Sequence, residues 1–528
     1  MKKTGIIPKS GLGAALLLTF LFGLPSHAAE PESSRVVFAH YLLANQDYQD
    51  NSTAEAKVRA YMKEIQQAQA IGIDGFALNV GSWLSSGDGA EYYIAYSSQM
   101  FEAAARLHNG FKLMFSADFC CGNQASDAED MMRRFVNYPR FADVYFRHDG
   151  KYVLTTFAGD ALGEPAWQTI KSDLATGANP STGTVGPTFA PTTIAVAGKP
   201  SNAPIRIFFV PAFFAAFGGE LPTQSEIQSG FNTWKPVVDG LFYWGIAGVP
   251  GSGGPLDQIP SSEAYANVLH SADKLYMAPI AFQFWGADAA RYFEYSGYQG
   301  MRDMWMNAIN VTHPQWVEII TWNDFIEGTY VSPIDDPNNY PFANFLVESG
   351  LPTQPGPLRY FHSHVGAWAL LPYFIEWYKT GCQPDIHKNS VFWAYRTQSV
   401  NDNAASGIPA LGTLNGPIAD KIYVTANVAQ PGTLTVTSGT LTTSFDLTPG
   451  STDVQAAFMD GDPPVFNFTP NDKNCAALIG SGKDPIGIYT YNPAGGPSIQ
   501  YNDEYYSTGF LTAPRCEQSG SPWRGGDF

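Results

Sequence analysis

Eight short apolar runs, separated by stretches of helical periodicity, constrain this chain more than any other feature. The runs are Val36–Tyr41, Gly75–Val80, Phe111–Ala117, Tyr152–Phe157, Ile205–Pro211, Gly240–Gly245, Leu275–Ala281 and Val317–Thr321. Among the segments between them, Thr53–Ala70, Tyr92–Leu107 and Asp127–Asn137 read as amphipathic helices. The first carries Val58, Met62, Ile65 and Gln69 near helical spacing. Eight strands alternating with helices outline an α/β fold of the (β/α)8 TIM-barrel type. A doubly wound open sheet is the competitor, but it does not need eight units, and no GxGxxG follows the first strand.

Near Asp385 the texture changes. Helical patterning stops, and runs such as Lys421–Val428, Gly432–Thr437 and Thr442–Leu447 alternate in β fashion with turn residues between them. Residues 35–384 are therefore expected to form the barrel, with Phe361–Thr380 as its last helix after a Pro-rich connection over 338–360. Residues 385–514 are expected to form an antiparallel β-sandwich that starts with a strand over Asn389–Arg396, and 515–528 a loose tail.

Length and polarity fit this division. A chain of 528 residues, 45% hydrophobic, is long enough for more than one domain. Aromatics make up 14% and charged residues only 15%. That balance suits an exported protein that handles sugars, whose apolar faces stack on aromatic rings, although most of the rings are needed for the core. The net charge of -18 argues against nucleic acid and anionic membranes as partners. At the N-terminus Lys2 and Lys3, the apolar stretch Gly11–Leu24 and the small residues around Ala28 read as a signal peptide over residues 1–28. The expected location is secreted or periplasmic, with no membrane span, and the chain is expected to be a monomer. Export permits disulfides. The five cysteines, Cys120, Cys121, Cys382, Cys475 and Cys516, leave at least one thiol unpaired within the chain, and Cys475 with Cys516 is the pair that would staple the C-terminal region.

In a barrel of this type the active site lies at the carboxyl ends of the strands. The polar and aromatic residues there are His40 and Tyr41, Asn79 with Trp83 following, Asp118, Trp244, Gln283 with Trp285, and the segment Trp322-Asn323-Asp324 with Glu327 three residues later. Glycoside hydrolysis needs two carboxylates, one to protonate the leaving oxygen and one to activate water or attack. Asp324 and Glu327 supply such a pair within one turn. D-x-x-E also occurs at ordinary helix starts, as a cap with its third-position acid. Position after the eighth strand, among Trp and Asn, favours catalysis. Asp118 is a third acid, which at a strand end serves equally as a loop cap. Asp74 precedes the apolar part of its strand and belongs to the opposite end. No GxSxG, CxxC, HExxH or phosphate loop is present, so neither cofactor nor metal is expected.

Four segments resemble glycoside hydrolase family 71, the α-1,3-glucanases or mutanases. They are RVVFAHYLLAN from Arg35, YMKEIQQAQAIGIDGFALNVG from Tyr61, FKLMFSADF from Phe111 and WVEIITWNDFIEGTYVSP from Trp316. They occur in the family's order, and the β-rich region after Asp385 is also similar. The resemblance implies a TIM barrel with a β-sandwich, endo-acting hydrolysis of α-1,3-glucan, inversion at the anomeric carbon, and the paired acids on Asp324 and Glu327. It leaves His40, Tyr41, Asn79, Trp83, Asp118, Trp244, Trp285, Trp322 and Asn323 as the expected sugar-binding set. The chain departs from the family pattern at Phe325-Ile326, where Tyr-Gly is usual, and at Gly328, where Ser is usual. It departs again at Pro211-Ala212-Phe213, commonly Pro-Asp-Trp, and at Tyr243-Trp244, usually Ser-Trp. The Trp-Asn-Asp pattern with its following Glu-Gly also resembles barrel endo-α-mannosidases. The alternatives are therefore hydrolysis of another α-glycan, such as α-mannan or dextran, or a glucan-binding protein without catalysis.

Overall fold

The computed structural model describes residues 35–43, 53–84, 90–120, 122–178, 202–245, 258–286, 291–293, 295–324, 327–333, 364–397, 399, 419–459, 462–482, 489–491, 499–501 and 506–513. The leader over 1–28, the 338–360 connection, the tail, Cys121, Cys516 and Phe325-Ile326 lie outside them. From Arg35 onward the chain is one compact unit.

All eight apolar runs form strands. In chain order the first half contains β1 Val36–Leu42, α1 Ala54–Ala70, β2 Gly75–Val80, α2 Ala90–Leu107, β3 Lys112–Asp118, α3 Ala125–Phe135, the single turn α4 Pro139–Ala142, β4 Arg147–His148, β5 Lys151–Phe157 and α5 Glu164–Thr176. There follow β6 Ile207–Phe209, α6 Gln224–Trp234, β7 Gly240–Phe242, α7 Gln258–Ser271, β8 Leu275–Ala281, the hairpin strands β9 Phe284–Gly286 and β10 Arg291–Phe293, α8 Tyr298–Asn307, β11 Trp316–Ile320 and α9 Val365–Thr380. The nine-stranded sheet runs β4-β5-β3-β2-β1-β11-β8-β7, with β6 on β5. All its pairings are parallel except that of the short β4. The sheet curls, so that the first parallel strand, β1, lies between the second, β2, and the last, β11. At the other edges a parallel bridge joins Ala212 to Phe242, and the Phe242 N–H donates to the Pro211 carbonyl at 2.9 Å.

Strand parity sorts side chains between the two faces of this sheet. The register aligns Phe38 with Glu318 and Gly75, and Asn79 with Ser116. Phe38, His40, Asn79, Asp118, Phe208, Trp316 and Glu318 therefore share the concave face. Rings meet across it: Trp316 on β11 lies 5.9 Å from Phe208 on β6 and 5.8 Å from Phe38. The convex face packs under the helices. The buried face of α1 carries Val58, Tyr61, Ile65 and Ala68, while Met62 and Gln69 are half-buried. At the amino ends of the strands Asp74 accepts from the Val37 N–H at 2.9 Å and pairs with Lys379 of α9 at 2.6 Å, which ties the last helix to the first strands.

The C-terminal region is antiparallel. Its strands are β12 Ser390–Arg396, β13 Lys421–Val428, β14 Gly432–Ser438, β15 Leu441–Leu447, β16 Gly450–Ala457, β17 Val465–Pro470, β18 Leu478–Ser481, the pair β19 Tyr489–Tyr491 and β20 Ile499–Tyr501, and β21 Tyr506–Thr512. Two four-stranded sheets, β16-β13-β12-β21 and β15-β14-β17-β18, bury one apolar cluster in which Trp393 stacks on Phe466 at 4.3 Å. β12 serves two cores. Val391, Trp393 and Tyr395 enter that cluster, while Phe392 and Ala394 join the core of the parallel sheet and its helices. Gly366 at the start of α9 lies against β21, where an added Cβ would meet the Gly509 carbonyl oxygen at 2.7 Å and the Tyr298 hydroxyl at 2.1 Å. Cys120 is exposed, Cys382 is exposed with a free thiol, and Cys475 is in a disulfide whose partner lies outside the described residues.

Candidate active site

The carboxyl ends of β1 and β11 are clamped together by backbone and by one amide. Beyond β11 the Trp322 N–H donates to the His40 carbonyl at 2.7 Å. The Asn323 side chain then accepts from the Leu42 N–H at 2.8 Å and donates to the Leu42 carbonyl at 3.0 Å, imitating one more rung of the ladder. The chain turns and comes back. Thr321 exchanges backbone hydrogen bonds with Thr329 and Val331, and the two hydroxyls of Thr321 and Thr329 meet at 2.9 Å. Asp324 and Glu327 ride on the loop so closed. Asp324 is buried, its N–H donates to the Thr321 hydroxyl at 2.8 Å, and its Oδ1 accepts from the Glu327 N–H at 3.0 Å. The capping geometry that D-x-x-E spacing offers is thus realised, and it ties the Asp324 side chain to the Glu327 backbone. Gln283, after β8, donates to the Gly328 carbonyl at 2.8 Å and braces the far side of the loop.

The concave face below this loop holds the other polar candidates. Asn79 donates to Asp118 Oδ2 at 3.3 Å, and Asp118 Oδ1 accepts from the Cys120 N–H at 2.9 Å, so Asp118 also caps its loop. His40 and Glu318 form a buried pair with Nδ1 and Oε1 2.6 Å apart. Burial pushes the Glu318 carboxyl up, and His40 opposes the push. Trp244 is half-buried after β7, with its ring 4.7 Å from His40 and 4.9 Å from Phe157 of β5. One indole therefore spans the space between β7, β1 and β5. Trp285 lies on β9, and its side chain is outside the described residues.

Four of the expected sugar-binding residues are packed into the interior of the described structure. Tyr41 has the opposite parity to His40, so it turns to the convex face against Tyr61 and Phe76 and is fully buried. Trp322 is buried beside Phe76 on that same side. Trp83 is fully buried, packs on Phe115 and Phe135, and donates to Asp130 at 2.8 Å. Asn323 spends its amide on the Leu42 backbone. All four are fully buried among the described residues. Ala212, where the family pattern commonly has Asp, is fully buried in the bridge between β6 and β7.

Two acids escaped the sequence reading. Glu318 is the one charge inside β11, WVEII, and that contrast is its signal. Glu64 lies on the buried face of α1, where burial raises its carboxyl to about 8 against the pull of the nearby Tyr41 hydroxyl and Trp322 indole.

Known proteins extend the comparison. A glucan endo-1,3-alpha-glucosidase of Schizosaccharomyces pombe is 26% identical over 469 residues, covering 87% of this chain and 94% of that one. A mutanase of Penicillium rubens is 24% identical over 462 residues, covering 82% and 83%. Among solved structures, the GH99 endo-alpha-mannosidase from Bacteroides thetaiotaomicron superimposes with a TM-score of 0.42 at 12% identity, over 66% of this chain and 98% of that one. The profile of glycosyl hydrolase family 71 matches residues 33–503. With nearly all of the chain from β1 through the antiparallel sheets inside that match, the protein belongs to glycosyl hydrolase family 71.

Proposed function

We propose that the chain is an exported, endo-acting hydrolase of α-1,3-glucan that works by inversion on a closed (β/α)8 barrel, with a C-terminal β-sandwich as support. The observation that carries the reading is the pinned loop over 321–332, which holds two carboxylates where β1 and β11 end side by side. The glucan specificity rests on the family and on the activities named for the yeast and Penicillium relatives. Closure of the barrel is supported by β1 lying between β2 and β11, by the Ala212–Phe242 bridge, and by the Trp316–Phe208 contact across the concave face. The sandwich is supported by the cluster that both antiparallel sheets bury. The leader Gly11–Leu24 supports export.

In this mechanism Asp324 and Glu327 divide the work. One gives its proton to the glycosidic oxygen as the bond to the anomeric carbon breaks. The other takes a proton from a water that attacks that carbon from the opposite face. Trp244 offers an apolar ring for the sugar, and His40, Asn79 and Asp118 offer hydrogen bonds to its hydroxyls. Inversion requires room for the water, roughly 6.5–9.5 Å between carboxyls.

The test is release of reducing ends from insoluble α-1,3-glucan, with dextran, starch and α-mannan alongside. The glucan is expected to be cut fastest. Asp324→Asn and Glu327→Gln are each expected to lose on the order of 10²–10⁴-fold or more in turnover while melting as the wild type does. Near-normal turnover in both variants sinks the assignment. Binding without any release of ends establishes the non-catalytic alternative. Proton NMR early in hydrolysis is expected to show the β-anomer first, and the α-anomer first overturns inversion.

A further inference from the structure

The buried His40–Glu318 pair is a costly way to fill the interior between two neighbouring strands. Both side chains are removed from solvent, on neighbouring strands, with Nδ1 of His40 and Oε1 of Glu318 2.6 Å apart. Removing two ionisable groups from water costs several kcal/mol each unless their charges and hydrogen bonds are matched. Here the match is partial. The second carboxyl oxygen of Glu318, Oε2, is buried and has no hydrogen-bond partner among the described residues. Among the described residues, His40 is what opposes the upward push that burial gives the Glu318 carboxyl. A pair kept at that cost, below two candidate acids, is a functional candidate on physical grounds.

Register gives the pair a direction. Glu318 aligns with Phe38, two residues before His40 on β1. It therefore lies about 6–7 Å nearer the amino ends of the strands, at about 3.3 Å per residue. Nδ1 of His40 is taken up by Glu318, which leaves Nε2, on the opposite side of the ring, as the nitrogen free to serve a ligand; the Asp324 loop is tied to the His40 and Leu42 backbone just beyond. The Trp244 ring, at 80° to the imidazole, borders the same space.

Proton counting then fixes what Nε2 carries. A 2.6 Å contact needs one proton between Nδ1 and Oε1. Two arrangements leave the buried pair without net charge: a carboxylate with an imidazolium, or a carboxylic acid with a neutral ring. In the first both ring nitrogens are protonated. In the second the acid donates to Nδ1, so the ring's own proton is on Nε2. The remaining arrangement, a carboxylate with a neutral ring protonated at Nδ1, buries a net charge beside an unpartnered oxygen. Both favoured states place a proton on Nε2.

We propose that Glu318 is a positioning residue that keeps His40 protonated at Nε2, so that His40 donates a hydrogen bond to a hydroxyl of the bound sugar. The proposal rests on the glycoside-hydrolase reading of the same site. Its role is to hold the sugar ring against Trp244 while the acids act, which places the contribution in kcat when the contact tightens at the transition state.

Two readouts test it. Nitrogen-15 NMR of the wild-type imidazoles, with the His40 signals identified by their loss in His40→Gln, is expected to show Nε2 protonated from about pH 5 to 8. A bare Nε2 in that range overturns the proposal, and this measurement needs no activity, so it stands apart from any failure of the glucanase reading. In kinetics on α-1,3-glucan, Glu318→Leu is expected to lower kcat about 10–100-fold with KM within about threefold. Glu318→Gln, whose amide can donate to Nδ1 and leave the proton on Nε2, is expected to recover kcat to within about tenfold of wild type. Unchanged kcat in the Leu variant, or no recovery by Gln, overturns it. Should Glu318→Leu not fold, the wild-type spectrum decides.

Discussion

The parallel sheet with its helices and the antiparallel sheets behind them bury very different interiors. The antiparallel region is held by a plain apolar cluster: Val391, Ile422, Val424, Leu434, Val436, Phe466 and Phe468, with Trp393 laid on Phe466. The parallel sheet has a far larger apolar core, yet it also takes in charge: His40 with Glu318 on the concave face, Glu64 under α1, and Asp130 with Arg134 beside Trp83. Burying those groups costs stability that apolar residues of similar size would return. The difference separates a region shaped for chemistry from one shaped to hold it. Buried charge gathers where the two candidate acids are held, whereas among the described residues of the antiparallel region Arg396 of β12 is the one fully buried charge beside an otherwise apolar cluster.

The largest effect is expected from removing the support. A chain ended at Pro384 would lose Phe392, Ala394 and Phe510 from the face of α8 and α9, and with them the Tyr298 hydroxyl bond to the Trp393 carbonyl, 2.9 Å. At about 25 cal/mol per Å² of apolar surface, uncovering several large side chains costs more than the 5–15 kcal/mol that stabilises a typical domain can spare. The truncated protein is expected to be insoluble or to have lost its cooperative melting transition. A soluble, fully active 1–384 chain would break the comparison, because the sheets would then be an independent module.

A smaller effect, with a pH signature, is expected at Glu64. Its folded carboxyl stands at about 8 against 4.5 for the free group. As pH rises past 4.5 the unfolded chain gives up this proton while the folded chain keeps it, so folding is increasingly disfavoured until the folded group also ionises near 8. The slope is at most about 1.4 kcal/mol per pH unit over that window. Glu64→Gln does not titrate. Relative to wild type it is expected to gain stability between pH 5 and 8 and then level off, measured by urea unfolding at several pH values. A constant difference across that range would mean that Glu64 is solvated, and the contrast between the two interiors would weaken.

The fold was legible because buried parallel strands read as unbroken apolar runs, and all eight runs became strands. β13 begins and ends where alternation marks it, at Lys421 and Val428. The site was legible in part. Strand ends picked out Asn79, Asp118 and Trp244 on the concave face, but adjacency in sequence put Tyr41 beside His40 as though both faced a ligand. Period-2 geometry forbids that: once His40 points inward, Tyr41 points out. Trp83 and Trp322 follow strands in irregular chain, where no period assigns a side. Glu318 passed unnoticed because an acid in mid-strand lies below the usual position for a site. Its alignment with Phe38 is a fact of register, which only strand pairing supplies.

The smallest effect is expected at the rim between the two regions. Arg302 of α8 pairs with Asp453 of β16, and Asp453 also accepts from the Thr425 hydroxyl at 2.5 Å. The arginine is 28% and the aspartate 15% exposed, so the pair lies at the edge of solvent. Pairs of this kind contribute about 1 kcal/mol or less, and salt screens them. A double-mutant cycle with Arg302→Met and Asp453→Asn isolates the coupling from the loss of each side chain's other contacts. The expected coupling is below about 1 kcal/mol in dilute buffer, smaller still in 1 M salt, with kcat on α-1,3-glucan unchanged throughout. A coupling of about 3 kcal/mol that resists salt is the signature of a desolvated pair. That result would add a second desolvated charge to the antiparallel region beside Arg396, and its interior would then approach the costly one of the parallel sheet.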